Sequence, residues 1–199
     1  MKFTQIVAAT VMGASLLAGQ GTFADGHVKG WMLDAENSRL AFGSIKKDTV
    51  GEVHSFETIS GSVTGDGKAE IQIDLTSVQT NIDIRNERMM EFVFGGTKQA
   101  VLTAEIDMEE VNTLAVGDMT VIDVEGELGF LGAAVEIETE MFVARMSETR
   151  VLAMTNDMIF VGTEDLGVTA GIDKLMALAK LPGITRTTPV TLRLVLNQK

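Results

Sequence analysis

The fold is predicted most directly from "SVTGDGKAEIQIDL", residues 62–75. It carries Gly65-Asp66-Gly67, a glycine and aspartate combination that tight hairpin turns favour. Over residues 69–75 the apolar side chains occupy every second position, which places them on one face of a strand. One dry face and one wet face are typical of an antiparallel sheet. The stretch therefore predicts a β-hairpin that turns one face towards a core.

The same alternation recurs along the chain. It appears in residues 102–108, 135–141 and 190–196, the last preceded by Pro189, and turn signals lie at residues 116–118 and 130–132. Roughly eight strand-like segments at fairly regular spacing predict an all-β sandwich or barrel. A barrel leaves no exposed strand edges that would promote aggregation.

Two segments lose the alternation and predict short helices. Residues 84–93 lie within "TNIDIRNERMMEFVFGG", residues 80–96, where Arg85, Glu87 and Arg88 have the spacing of a solvated helical face. Met89 and Phe92 lie on the opposite side, which we expect to pack against a barrel opening. In residues 172–180 the apolar side chains also follow helical spacing, and Pro182 with Gly183 ends the segment.

The N-terminal segment predicts a cleaved signal peptide. Lys2 precedes an apolar run over residues 6–18, and Thr22-Phe23-Ala24 provides the small residues that a signal peptidase reads. The run is shorter than the ~20 residues needed to cross a bilayer, and no later segment approaches that length. We expect a leader at residues 1–24 and a single domain at residues 25–199.

Charge and cysteine content exclude several classes of function. The chain has 28 acidic and 16 basic residues, a net charge of −12, which repels nucleic acid and anionic lipid headgroups. It has no cysteine, which excludes disulfides, thiolate nucleophiles and cysteine metal sites.

No catalytic residues are predicted. The sequence has no serine nucleophile elbow, phosphate-binding glycine loop or His-Glu-x-x-His pair. Glu136, Glu138 and Glu140 alternate along one strand, and that pattern favours a solvated face over an acid and base pair. His54 stands alone beside Ser55, without an acyl-transfer partner set.

One metal site is conceivable at the mature N-terminus. Cleavage after Ala24 leaves Asp25-Gly26-His27 with a free amine, and this sequence offers four nitrogens to Cu(II) or Ni(II). The sequence favours the simpler interpretation, an untied terminus with an incidental histidine. We therefore predict no required metal or cofactor.

The core composition leaves two interpretations open. The chain has 12 methionines and only 5% aromatic residues. Methionine and branched aliphatic side chains line adaptable apolar cavities, but they also fill ordinary cores. An eight-stranded barrel is either packed solid or holds one small ligand.

Several ordered motifs resemble the YceI-like family. Trp31-Met32-Leu33-Asp34, followed by Asn37 to Phe42, resembles the opening "W-x-(I/L)-D-x-x-(H/N)-S-x-(I/L)-x-F" of that family. Residues 56–61 resemble its "F-x-x-(F/I)-x-G" step, and Ser77 and Thr80 precede Arg85 as in its next motif. The chain differs at Lys47, His54 and Asn86, where the family has histidine, glycine and aspartate. The resemblance spans about residues 29–196.

The resemblance implies a lipocalin-like closed antiparallel β-barrel with an elongated apolar cavity. It further implies an exported, periplasmic carrier that binds a polyisoprenoid lipid or isoprenoid quinone and is not an enzyme. Partners are then the lipid and, transiently, a membrane or membrane protein. The oligomeric state is not predicted. The expected ligand-binding residues are Leu40, Phe42, Phe56, Ile71, Ile73, Leu75, Met89, Phe92, Leu175 and Met176.

Two alternatives remain open. An enzyme acting on a bound lipid or quinone needs titratable groups at the cavity, for which His54, Lys47 and Glu87 are the candidates. A structural or partner-binding barrel with a filled core needs neither cavity nor catalyst.

Overall fold

The computed structural model describes residues 29–199, and within them the fold is mostly β with three short α-helices. The strands are β1 (Trp31–Leu33), β2 (Arg39–Lys46), β3 (Val50–Phe56), β4 (Ile59–Val63), β5 (Lys68–Asp74), β6 (Val78–Gln79), β7 (Gln99–Glu105), β8 (Met119–Phe130), β9 (Ala133–Ser147), β10 (Arg150–Thr155), β11 (Ile159–Gly162) and β12 (Thr187–Gln198). The helices are α1 (Asp83–Arg88), α2 (Met108–Thr113) and α3 (Thr169–Leu178). A 3₁₀ turn lies at Leu75–Ser77 and a π-helical turn at Met89–Val93.

Eight antiparallel strands close into a barrel, as predicted. Their order is β1-β4-β5-β7-β8-β9-β10-β12, and β12 pairs back with β1, with Leu33 opposite Leu196. The other strands extend one end of this barrel. The N-terminal half of β12 pairs with β2 and β11, and β3 and β6 continue from β2.

The hairpin predicted from residues 62–75 is present. β4 pairs with β5, and the turn between them contains Gly67 at φ +92°. A Cβ atom at Gly67 would lie 2.1 Å from the Ile106 carbonyl oxygen, so this position requires glycine for its conformation and for its space.

Two predicted strand ends are wrong because aspartate side chains begin a new element there. The alternation in residues 102–108 predicts a strand to Met108, but β7 ends at Glu105 and Asp107 caps α2 by accepting the Glu109 N–H at 2.8 Å. In the same way β5 ends before Leu75, because the Asp74 carboxylate accepts the Thr76 N–H at 2.9 Å.

The closing strand is longer than predicted. β12 begins at Thr187, so Pro189 lies inside it instead of marking its start. Pro189 stands opposite Phe160 of β11, and pairing with β2 begins only at Val190.

Both predicted helical segments are confirmed, and they pack on each other. After α1 the chain widens into the π-helical turn, where the Phe94 N–H donates to the Met89 carbonyl at 2.8 Å. α3 approaches this turn closely at Gly171, where a Cβ atom would lie only 2.3 Å from the Phe92 carbonyl oxygen. Met89 and Ile172 from these two segments both line the barrel interior.

Candidate functional site

The barrel interior contains two apolar cavities. The first, here named the Trp31 cavity, has a volume of about 120 Å³. Thr139 is the one hydroxyl-bearing side chain among the residues that line it. The second, the phenylalanine cavity, has a volume of about 140 Å³ and is lined by Phe42, Phe56, Phe94 and Phe130 among others. Inward side chains that alternate with outward ones along the strands produce these walls.

The two apolar cavities are successive layers of one interior. On β5, Ile71 lines the Trp31 cavity and Ile73, two residues later, lines the phenylalanine cavity. On β12, Leu196 lines the first cavity and Val190 the second. At ~3.3 Å per residue the two layers together cover roughly 20 Å of strand.

Aromatic rings form a continuous wall in the phenylalanine cavity. The ring centroids of Phe42 and Phe56 are 5.3 Å apart, and Phe94 lies 6.0 Å from both Phe56 and Phe130. Such spacings are those of interacting aromatic pairs, which stabilises the wall beyond simple burial.

A third cavity, here the polar cavity, adjoins the phenylalanine cavity under α1 and α3. It has a volume of about 240 Å³ and shares Phe42, Met89 and Ile172 with its apolar neighbour. Its other walls carry the polar side chains Ser44, Lys46, Glu52, His54, Arg85 and Arg88. The barrel therefore has an apolar interior that ends in a charged chamber.

Glu52 organises the charges of the polar cavity. One of its carboxylate oxygens lies 2.9 Å from Lys46 Nζ, and the other lies 2.8 Å from Arg85 Nη1. Burial tends to raise the pKa of Glu52, but the hydrogen bonds from Lys46 and Arg85 outweigh it and hold the pKa below its usual value. Arg85 also donates to the Thr80 carbonyl oxygen. These contacts fix the positions of two cationic groups.

His54 is a buried, neutral imidazole at physiological pH. Its side chain is 5% exposed, its Nε2 lies 3.1 Å from Ser44 Oγ, and its ring lies 5.2 Å from that of Phe42. Burial, with a further contribution from the Arg85 charge, lowers its pKa from 6.5 to about 4. His54 is therefore a polar, uncharged group at the boundary between the polar and phenylalanine cavities.

Most of the predicted ligand-binding residues face the interior. Ile71 lines the Trp31 cavity, Leu175 lines the polar cavity, and the phenylalanine cavity takes Leu40, Phe42, Phe56, Ile73, Leu75 and Met89. Phe92 and Met176 are half-buried and line none of these three cavities. Contact of any of these residues with a ligand stays a prediction.

Phe92 packs on α3 instead of facing the barrel. Its ring lies 5.5 Å from Lys174 Nζ, and the next two residues, Val93 and Phe94, take the inward positions. The wider π-helical turn places one more residue in the turn and so moves the inward position along the chain.

The solvated face predicted for residues 85–88 is wrong for both arginines. Arg88 is half-buried and lines the polar cavity. The Arg85 guanidinium is half-buried against Glu52, which lies on β3, whereas Glu87 is exposed as expected. The three candidate titratable groups are not brought together, because Lys47 and Glu87 are exposed while His54 is buried.

Sequence reasoning missed most of the Trp31 cavity and the polar cavity. Inward residues such as Val124, Ile137 and Leu194 follow the same alternation that identified β5. Their position in the cavity wall could therefore have been predicted from the sequence. Ser44 and Glu52 carry no comparable signal, since nothing in the local sequence shows that Arg85 meets Glu52.

Among residues 29–199 no group of three or more histidine, cysteine, aspartate or glutamate side chains is arranged to hold a metal ion. The copper or nickel site considered at Asp25-Gly26-His27 lies outside the described residues. In the same range no helix is long and apolar enough to cross a membrane.

Comparison with known proteins assigns the fold to a family. Residues 31–195 match the YceI-like domain. The chain belongs to the YceI-like family. The resemblance stated from the motifs around Trp31 and Phe56 is confirmed.

Solved structures support the assignment of this YceI-like domain. It is similar to a polyisoprenoid binding domain from Saccharophagus degradans, described as implicated in plant cell wall breakdown, with 36% identity and a TM-score of 0.83 over 85% of this chain and 98% of that chain. It is also similar to BcnA from Burkholderia cenocepacia, with 17% identity and a TM-score of 0.62 over 82% of this chain and 98% of that chain, which shows the fold alone. No curated protein matches the chain.

Proposed function

We propose that this YceI-like domain binds one long isoprenoid lipid inside its barrel and acts as a carrier, not as an enzyme. The observation that carries the proposal is the layered interior, in which two apolar cavities lead to one polar cavity. The similarity to a polyisoprenoid binding domain at 36% identity supports the same ligand class.

The walls suit the tail of such a lipid. The Trp31 and phenylalanine cavities are lined almost entirely by aliphatic and aromatic side chains, so a buried polar or charged tail would lose hydrogen bonds to water without replacement. A hydrocarbon tail gains ~25 cal/mol for each Å² of apolar area removed from water. Binding of this kind needs shape and apolar surface and no reacting groups.

The order of the cavities supports one orientation of the proposed lipid. The tail lies in the Trp31 and phenylalanine cavities, and the head group lies in the polar cavity beside His54 and Ser44. Met89 and Ile172 line both the phenylalanine and polar cavities and therefore contact the first part of the tail.

We also propose that the protein works in the periplasm after export. The support is the sequence pattern of residues 1–24, in which Lys2 precedes an apolar run and Ala24 stands at the expected cleavage position. Intact mass measurement of protein recovered from the periplasmic fraction tests this directly. A mass equal to that of residues 25–199 agrees with export, whereas full-length protein found in the cytosol contradicts it.

The binding proposal is tested by extracting the purified protein with organic solvent and analysing the extract by mass spectrometry. The expected result is an isoprenoid lipid at about one molecule per chain, together with uptake of geranylgeraniol by delipidated protein in calorimetry. A protein that carries no isoprenoid and, once delipidated, takes up none in calorimetry contradicts the proposal.

A further inference from the structure

The polar cavity concentrates positive charge in an acidic protein. Lys46, Arg85 and Arg88 line it, and Glu52 is the one carboxylate among its lining residues. With His54 neutral, the lining has a formal excess of two positive charges, whereas the whole chain carries −12. An excess of this sign beside an apolar cavity calls for an anionic partner, since uncompensated charge is costly at low dielectric.

Helical spacing directs the two arginines of α1 towards the polar cavity. Arg85, Arg88 and Met89 stand at positions i, i+3 and i+4, which share one face of a helix, and all three line the polar cavity. Glu52 and the Thr80 carbonyl hold Arg85, and Glu52 also holds Lys46. Arg88 has no ion pair within residues 29–199, so its guanidinium is available to a ligand.

We propose that the polar cavity binds an anionic head group, and that the ligand is the phosphate monoester of an isoprenoid alcohol. This inference rests on the proposed function, because it places the head group where the tail leaves the phenylalanine cavity. A phosphate monoester carries about −1.5 to −2 charges at pH 7, which matches the excess of two cations. A carboxylate would compensate one of them and a neutral quinone neither.

The arrangement provides donors that suit phosphate oxygens. Guanidinium groups bind phosphate through parallel N–H bonds, and the Arg88 side chain is free to supply two. Lys46, on β2, supplies a further point charge to the same cavity. Ser44 and neutral His54 form a hydrogen-bonded pair at the same wall, so the ester end of the head group meets polar but uncharged groups.

Calorimetry on delipidated mature protein tests this inference with two probes that differ only in the head group, geranylgeranyl phosphate and geranylgeraniol. The phosphate is expected to bind at least tenfold more tightly at low salt, and the difference is expected to shrink as salt rises. Arg88→Gln is expected to reduce phosphate affinity about tenfold and to change alcohol affinity less than twofold. Arg88→Lys should restore part of the loss.

The control variant is Arg193→Gln, which removes the same charge from an exposed position outside the three cavities and should leave both affinities unchanged. Lys46→Gln is the second test variant if Arg88→Gln does not fold, and it should also weaken only phosphate binding. Equal affinities for the two lipids overturn the head-group inference and leave lipid binding intact.

Two further outcomes are separable. Binding of neither lipid overturns the proposed function itself. Inorganic phosphate could instead bind as tightly as geranylgeranyl phosphate, with the same loss of affinity in Arg88→Gln. That result would assign the site to the free anion and overturn the lipid head-group inference.

Discussion

Filling the phenylalanine cavity should weaken lipid binding by at least about three orders of magnitude while keeping the barrel folded. Ala100 on β7 is 1% exposed and lines this cavity, whose volume is about 140 Å³. An apolar cavity of ~150 Å³ holds one benzene molecule, so the phenyl ring of an Ala100→Phe variant occupies nearly all of this space. The lipid tail would then have no continuous path from the polar cavity to the Trp31 cavity.

The expected loss follows from the length of tail that the ring displaces. One five-carbon isoprene unit, at ~0.8 kcal/mol for each buried carbon, contributes about 4 kcal/mol. Every ~1.4 kcal/mol is a factor of ten in affinity, so displacing one unit weakens binding roughly 1000-fold. Displacing the remainder of the tail from the Trp31 cavity would weaken it further.

Calorimetric titration of delipidated protein with geranylgeraniol measures this loss, and thermal unfolding reports the effect on the fold. The added ring typically costs ~1–3 kcal/mol of stability through overpacking. Thr103→Phe is the matched control, because Thr103 lies on the same strand and faces solvent. If Ala100→Phe folds and binds with wild-type affinity, the tail does not lie in the phenylalanine cavity.

Three further predictions concern pH, helix packing and ligand depth. The unfolded chain protonates His54 near pH 6.5 and the folded chain only near pH 4, so the free energy of unfolding should fall by about 3 kcal/mol as pH drops through this window. Denaturant titration of wild type and His54→Gln checks this, and an equal pH slope in both refutes it. Gly171→Ala should cost ~1–3 kcal/mol of stability, because its Cβ meets the Phe92 carbonyl oxygen, and an unchanged denaturant midpoint would contradict that contact. Geranylgeraniol should shift the emission of the single tryptophan, Trp31, whereas geraniol, which is too short to pass the phenylalanine cavity, should bind without shifting it. The same shift from both lipids would place the tail elsewhere.

Local patterns predicted an all-β sandwich or barrel because the chemistry of turns and strand faces repeats along the chain, and the resemblance to the YceI-like family implied that the barrel is closed. Gly67 needs a positive φ that glycine adopts readily, and the alternation of residues 69–75 fixes which face is dry. The same rule failed at Asp107, where a side chain that caps a helix ended the strand earlier than hydrophobic alternation indicated. Alternation describes the faces of a strand and carries little information about its ends.

The candidate site was only partly predictable because it depends on contacts between distant residues. Arg85 and Glu52 are 33 positions apart in sequence, and no helical spacing rule shows that a salt bridge draws Arg85 inward. Phe92 was assigned to the interior from regular helical spacing. The π-helical turn instead places Val93 and Phe94 there, and local sequence does not show that a turn will widen.

Under the proposed function, an isoprenoid tail lies inside the barrel. The most direct measurement is a set of nuclear Overhauser effects between bound geranylgeraniol and methyl-labelled protein. We expect contacts to Ile73 in the phenylalanine cavity and to Ile122 and Leu194 in the Trp31 cavity. Contacts confined to exposed methyl groups such as those of Val53 and Val121 would show that the lipid binds outside the barrel and would overturn the proposed function.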